Sequence, residues 1–230
     1  MLKIEGICKA FGTNAVLKDV SLTLKKGSTV GLCGASGIGK STLAKIVCGL
    51  EKPDAGYILY NDRLLCSSTM KYDRKRALKI QMVYQQPFAV LDPSQKIRAG
   101  FEELIRYHKL AKGKAVDDLI EQVCQKVGLD SEVLNHLPHQ ISGGEAQRIA
   151  IAKSLLFEPE ILVLDEATSM LDVSTQANVL ALVKRQLKSR DGIIFMISHD
   201  MELVEKYCDE IYALECGALV KKDIEKDEQI

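Results

Sequence analysis

The segment Gly34-Ala-Ser-Gly-Ile-Gly-Lys-Ser41 holds the residue types whose spacing points to the most specific chemistry in the chain. Gly34, Gly37 and Gly39 let a backbone curl tightly, so that N–H groups around Ala35, Ser36 and Ile38 can turn inward onto an anion. Lys40 adds a positive charge, and the hydroxyls of Ser41 and Thr42 follow where a helix should begin. The positive end of that helix's dipole also favours an anion. The pattern fits a cradle for a nucleoside triphosphate, with Lys40 on the β- and γ-phosphates and the Ser41 hydroxyl on Mg2+. Its flanks agree: Val30 to Cys33 reads as a short apolar strand, and Ser41 to Leu50 as a helix with Gly49 near its end.

A second cluster is acidic. Ile161-Leu-Val-Leu-Asp165-Glu166 places two carboxylates just past a continuous apolar strand. In a parallel sheet, strands end at the ligand crevice. Asp165 suits a magnesium ligand there, and Glu166 suits a base taking a proton from an attacking water. His199 follows the apolar run Ile193 to Ile197, so it belongs at the same edge if the two strands are neighbours. His108, His136 and His139 have no such placement and read as surface or capping residues. Ser142, Gly143, Gly144 and Glu145 form a second glycine-rich segment opening a helix. It reads either as a plain turn and N-cap or as an anion site serving a neighbouring molecule.

The elements that must position these residues are legible from periodicity. Val16 to Leu24 and Gly56 to Tyr60 read as strands within a first ~65 residues of strands and turns. Ile97, Phe101, Leu104 and Ile105, then Val116 to Val127 closed by Gly128, recur at helical spacing. A third helix runs from near Gly144 toward Phe157, and a fourth carries Val173, Ala177, Leu180, Val183 and Leu187. Strand, helix, strand over 161–197 predicts an α/β fold with a parallel sheet and crossover helices.

Composition bounds the rest. Lys plus Arg and Asp plus Glu are both 31, which argues against a strongly basic nucleic-acid binder. No apolar run approaches the ~18 residues of a membrane span. The N-terminus lacks the apolar core of a signal peptide, so a cytoplasmic location is expected. The seven cysteines include no CxxC pair and read as scattered small hydrophobes without disulfide or metal. Lys71 to Arg76 and the stretch from Lys221 read as solvated surface.

Taken in order, the phosphate loop, Gln85, ISGGE, ILVLDE, Ser169 to Asp172 and His199 resemble the nucleotide-binding subunit of an ATP-binding cassette (ABC) transporter along essentially the whole chain. The resemblance implies one ABC ATPase domain over 1–230. Its parts are a P-loop NTPase (RecA-like) core with a mostly parallel sheet, an N-terminal antiparallel β-subdomain and a helical subdomain over about 87–157. It implies that Phe11 stacks on adenine and that Gln85 touches Mg2+ and reports to the membrane subunit. Ser142 to Glu145 close on another subunit's ATP, and Asp172 lies across the dimer interface. Glu166 is the general base and His199 the switch histidine. The implied partners are a second ATP-binding subunit, identical or paralogous, two permease subunits and, indirectly, a solute-binding protein. The implied place is the cytoplasmic face of the membrane, held there by the permeases.

Three departures from the commonest family pattern involve four positions. Ile141 and Glu145 stand in a signature that usually reads LSGGQ, Ala167 replaces a proline, and Met170 replaces an alanine. The segment Val83 to Pro93 resembles the peptide and nickel importer branch, with Val90 and Asp92 differing from its QxPxxSLNP pattern. The short stretch after the strand Leu219 to Lys221 favours nickel or metallophore members over peptide importers. A soluble ABC ATPase of DNA repair or chromosome maintenance is the alternative. Such proteins split this core with a long coiled coil, and no sustained heptad pattern fills the interval between Lys40 and Ser142. A P-loop kinase would leave ISGGE and SMLD without purpose.

Overall fold

The computed structural model describes residues 1–69 and 78–223, so the basic run Lys71 to Arg76 lies outside the described residues. Contacts divide the chain into two compact units. One comprises residues 1–82, 160–166 and those from 187 on, and the other residues 83–159 and 167–186.

The first unit is built on two sheets. Strands β1 (Leu2–Phe11), β2 (Asn14–Leu24), β4 (Ala55–Tyr60) and β5 (Arg63–Ser67) form an antiparallel sheet in the order β2-β1-β4-β5. The other sheet has β3 (Thr29–Cys33), β6 (Ile80–Val83), β7 (Ile161–Asp165), β8 (Ile193–Ile197), β9 (Glu210–Glu215) and β10 (Ala218–Lys222), in the order β10-β9-β3-β8-β7-β6. Its central pairs β9/β3, β3/β8 and β8/β7 are parallel, and β10 returns antiparallel along β9. Every residue of β3, β7 and β8 is buried. A sheet covered on both faces produces such unbroken apolar runs. One core joins the two sheets and helix α1 (Lys40–Val47), with Leu2, Ile4, Leu32, Leu43, Ile46, Phe195 and Leu214 almost wholly enclosed.

Helix α1 stops earlier than the expected Leu50. Gly49 takes a left-handed φ of 70°, donating its N–H to Ile46 O, and Leu50 N reaches back to Lys45 O. That pair of bonds is the Schellman closure.

The second unit is mostly helical: α2 (Ile97–His108), α3 (Ala115–Lys126), α4 (Gly143–Leu155) and most of α5 (Val173–Lys188), with 3-10 turns at Pro87–Val90, Ser131–Asn135 and Pro138–Gln140. Phe101, Ile105, Ile120, Val123, Leu134 and Ile149 are buried in it. The apolar run after Gln85 is not uniformly exposed. Phe88 and Val90 are 41% and 40% exposed, whereas Leu91 is 8% exposed, because the chain leaves the 3-10 turn in an extended conformation there and turns Leu91 inward. Apolar side chains at Phe88, Val90 and Leu91 in so short a connection are expected to be exposed; Leu91 departs from that expectation. No helix among the described residues is long and apolar enough to cross a membrane. Among the described residues no disulfide joins any of the seven cysteines, five of which are buried, with Cys216 exposed.

Candidate functional site

Parallel pairing brings the carboxyl ends of β3, β8 and β7 to one edge of the sheet, with Leu32 opposite Ile197 and Ile197 opposite Asp165. Phosphate loop, histidine and acids therefore leave adjacent strands, the arrangement that opens a crevice in a parallel sheet.

The loop from Gly34 to Gly39 needs its glycines for two reasons. Gly34, Gly37 and Gly39 hold φ values of 142°, 75° and 118°, in the region that L side chains disfavour. A Cβ on Gly34 would also sit 2.8 Å from Leu214 O, and one on Gly39 would overlap Val16. Ala35, Ser36 and Gly37 are exposed at the tip, so the cradle faces outward. Lys40 is buried, and its ammonium donates to Gly34 O at 2.8 Å and Ala35 O at 2.9 Å. Those carbonyls hold the cation inside the loop, where an anion would meet it.

Ser41, the next residue of α1, donates from Oγ to Asp165 Oδ1 at 3.1 Å. Burial pushes the Asp165 carboxyl above its ordinary range, the Ser41 hydrogen bond opposes that, and the neighbouring Glu166 charge adds to it. A hard oxygen pair whose carboxylate gains from a nearby cation fits Mg2+, which favours one or two carboxylates together with phosphate oxygens. Ser41 and Asp165 are thus the residues here that would hold it.

Glu166 has a left-handed φ of 49°, rare for a residue without a special local reason. Its N–H is tied to Ile197 O at 3.0 Å on the adjacent strand, which holds that conformation. The carboxylate points to His199, with Oε1 3.4 Å from Nδ1; the His199 side chain is 69% exposed and that of Glu166 is 17% exposed. Strain of this kind concentrates at functional positions. His199 sits between buried Ser198 and Asp200, which caps helix α6 (Met201–Tyr207) by accepting from Leu203 N. Phe11 ends β1 with half its surface exposed, and Lys9 Nζ stands 5.2 Å from the ring centroid. An aromatic face with a neighbouring cation suits an adenine ring and a charged nucleotide.

The remaining candidates lie in the second unit. Gln85 is exposed, two residues beyond β6. Ser142 is the N-cap of α4 and forms a complete capping box with Glu145. The plain N-cap reading of ISGGE therefore describes its local structure, and its glycines describe its packing. A Cβ on Gly143 would lie 3.0 Å from Met170 Sδ, and one on Gly144 3.4 Å from Leu171 Cδ2. The signature segment and residues 170–171 thus pack on one another. Asp172 accepts from Thr175 N at 3.0 Å and from Ser174 Oγ at 2.8 Å, and those bonds hold its carboxyl well below the usual range.

One residue escaped the sequence reading. Gln147 is fully buried, accepts from Met170 N at 3.0 Å, and leaves its amide Nε2 without a hydrogen-bond partner among the described residues. It joins α4 to the Met170 segment. A signal existed: a glutamine sharing its helix face with Ala150, Ile151 and Ser154, all buried, calls for a buried polar partner.

Known proteins resemble the chain in sequence and in fold. The profile of the ABC transporter family matches residues 17–169. The nickel import ATP-binding protein NikE of Shigella sonnei is 37% identical over 213 residues, covering 93% of this chain and 80% of that protein. Similar solved structures include two cassettes. The ATP-binding cassette MJ0796, described as a dimer in a post-hydrolysis state bound to ADP and Pi, has a TM-score of 0.85 at 27% identity, covering 98% of this chain and 100% of that one. CbiO1 of Clostridium perfringens, part of the ABC transporter complex CbiONQ, has a TM-score of 0.78 at 26% identity, covering 95% and 86%. The chain accordingly belongs to the ATP-binding subunits of the ABC transporters, which hydrolyse ATP to drive transport.

Proposed function

We propose that this chain powers an importer of nickel, metal-chelate or peptide cargo by hydrolysing Mg·ATP between two ATP-binding subunits. The observation that carries the reading is the meeting of Ser41 Oγ with Asp165 and of Glu166 with His199 on adjoining strand ends. The likeness to NikE supports nickel as cargo, and CbiO1's place in a transporter complex supports permease partners. The subunit would sit peripherally at the cytoplasmic face, beside two permeases and, through them, a solute-binding protein. Residues 1–230 would act as one ABC ATPase domain, with residues 87–157 as its helical subdomain.

In this reading Phe11 stacks on adenine, while residues Gly34 to Thr42 wrap the phosphates and Lys40 neutralises them. Bound at Ser41 and Asp165, Mg2+ supplies further charge neutralisation; Gln85 keeps the contacting role that the resemblance gives it. Glu166 accepts a proton from the attacking water as the new oxygen–phosphorus bond forms and the bond to the ADP oxygen breaks. His199 holds Glu166 and the γ-phosphate in register. Ser142 to Glu145 and Asp172 come from the other subunit, an arrangement supported by the dimeric state described for MJ0796.

The test is Glu166→Gln, which keeps the shape of the site but cannot accept the proton. Turnover should fall about 10²–10⁴-fold with ATP affinity retained, and light scattering should show ATP-dependent dimers. Hydrolysis at the parent rate would overturn the assignment.

A further inference from the structure

The signature segment already holds an anion of its own. Glu145 Oε2 lies 2.8 Å from Ser142 N and 2.8 Å from Ser142 Oγ, and the Ser142 hydroxyl oxygen accepts in return from Glu145 N at 3.2 Å. A serine hydroxyl has one proton to give. That proton and the Ser142 amide proton are therefore both committed to a carboxylate of the same chain. The bonds are charge-assisted and sit at the positive end of α4. They hold the Glu145 carboxyl below its ordinary range, with Arg148 on the same helix and His136 on the preceding segment adding to the effect, so it is ionised at neutral pH. In the first turn, Gly143 and Gly144 also carry N–H groups that no helical carbonyl can reach.

We propose that Glu145 gates the closing of the dimer: its carboxylate is an internal anion that a neighbouring subunit's triphosphate must displace from Ser142. The inference rests on the reading above, in which Ser142 meets ATP bound by another subunit. Glu145 acts through Ser142, so it is a positioning residue and not a catalytic one. Two consequences separate it from a simple cap. Glutamine completes the same capping box with a neutral oxygen, so Glu145→Gln preserves the helix start and removes only the charge. The charge also repels the incoming phosphates, and repulsion between partly exposed groups weakens as salt rises.

The experiment uses the transporter assembled from this chain with its permeases and ATP-binding partner. Steady-state hydrolysis is measured against Mg·ATP concentration for the parent, Glu145→Gln and Glu145→Ala. For Glu145→Gln the half-saturating concentration should fall about 3- to 10-fold, the size expected for one like-charge contact screened by water. The gain should shrink between 0.01 and 0.1 M salt, as the screening length falls from about 30 to about 10 Å. Glu145→Ala should also lower half-saturation but reduce the melting temperature of the isolated chain, because it removes the carboxylate half of the capping box as well. Unchanged or raised half-saturation in Glu145→Gln overturns the gate and leaves Glu145 an ordinary cap. A parent assembly without ATP-dependent turnover would instead overturn the dimeric reading on which the gate rests.

Discussion

Gly34→Ala and Gly37→Ala form a matched pair, since both glycines have positive φ in the same loop but only one is enclosed. Gly37, at φ 75°, has nothing within 4 Å of a built Cβ. Its replacement should cost only the left-handed conformation, about 1–2 kcal/mol. Gly34, at φ 142°, would carry its Cβ 2.8 Å from Leu214 O, a main-chain atom of β9 that cannot rotate aside. The conformational cost of about 1–3 kcal/mol is then joined by an overpacking cost of similar size, so the total is about 2–6 kcal/mol. Because Gly34 O also holds Lys40 Nζ at 2.8 Å, relief of the clash must shift the anchor of that cation. Thermal unfolding should therefore show a loss for Gly34→Ala at least twice that for Gly37→Ala, at about 2–4 °C per kcal/mol for a chain of this size. Calorimetric titration with ATP should show weakened binding for Gly34→Ala. Equal melting temperatures in the two variants, or parental ATP affinity in Gly34→Ala, would refute the reasoning.

Two further outcomes are expected. Asp165→Asn should raise the melting temperature of the nucleotide-free chain at pH 7 while abolishing hydrolysis. A carboxyl whose folded-state pKa is raised destabilises the fold once ionised, so the gap between variant and parent should close as pH falls toward the unfolded carboxylate range; a lowered melting temperature at pH 7 would contradict this. Phe88→Glu should leave ATP binding by the isolated subunit unchanged but prevent co-purification with the permeases, since Phe88 and Val90 form an exposed apolar pair on the 3-10 turn; undiminished co-purification would place the contact elsewhere.

The elements that proved legible in the sequence are those whose burial is uniform. Every position of β7 and β8 is enclosed, so their unbroken apolar runs could be read directly, and with them the placement of Asp165, Glu166 and His199. Strand β1 was harder to bound. Its buried residues Leu2, Ile4 and Ile7 break strict alternation because register shifts fall between Ile4 and Ile7, where Gly6 has φ 62°. A bulge of that kind moves side chains between faces without a compositional mark. The strained φ of Glu166 is likewise invisible in the sequence, since no glycine or asparagine announces it and the bond to Ile197 O that sustains it comes from another strand. For Glu145, the Ser-x-x-Glu pattern of a capping box stood in plain view. What the structure adds is that the box uses the same Ser142 atoms to which the resemblance gives a role in ATP binding.

The central claim is that each ATP is hydrolysed between the phosphate loop of one molecule and the signature of another. Mixing two inactive variants tests it directly. Lys40→Ala lacks a working phosphate loop but keeps its signature, whereas Ser142→Arg keeps its loop and blocks its signature. In a two-fold dimer the mixed species restores one complete site. An equimolar mixture should therefore recover about a quarter of the parent hydrolysis rate, since about half the dimers are mixed and each has one working site of two. A mixture no more active than the two variants measured separately would contradict the account.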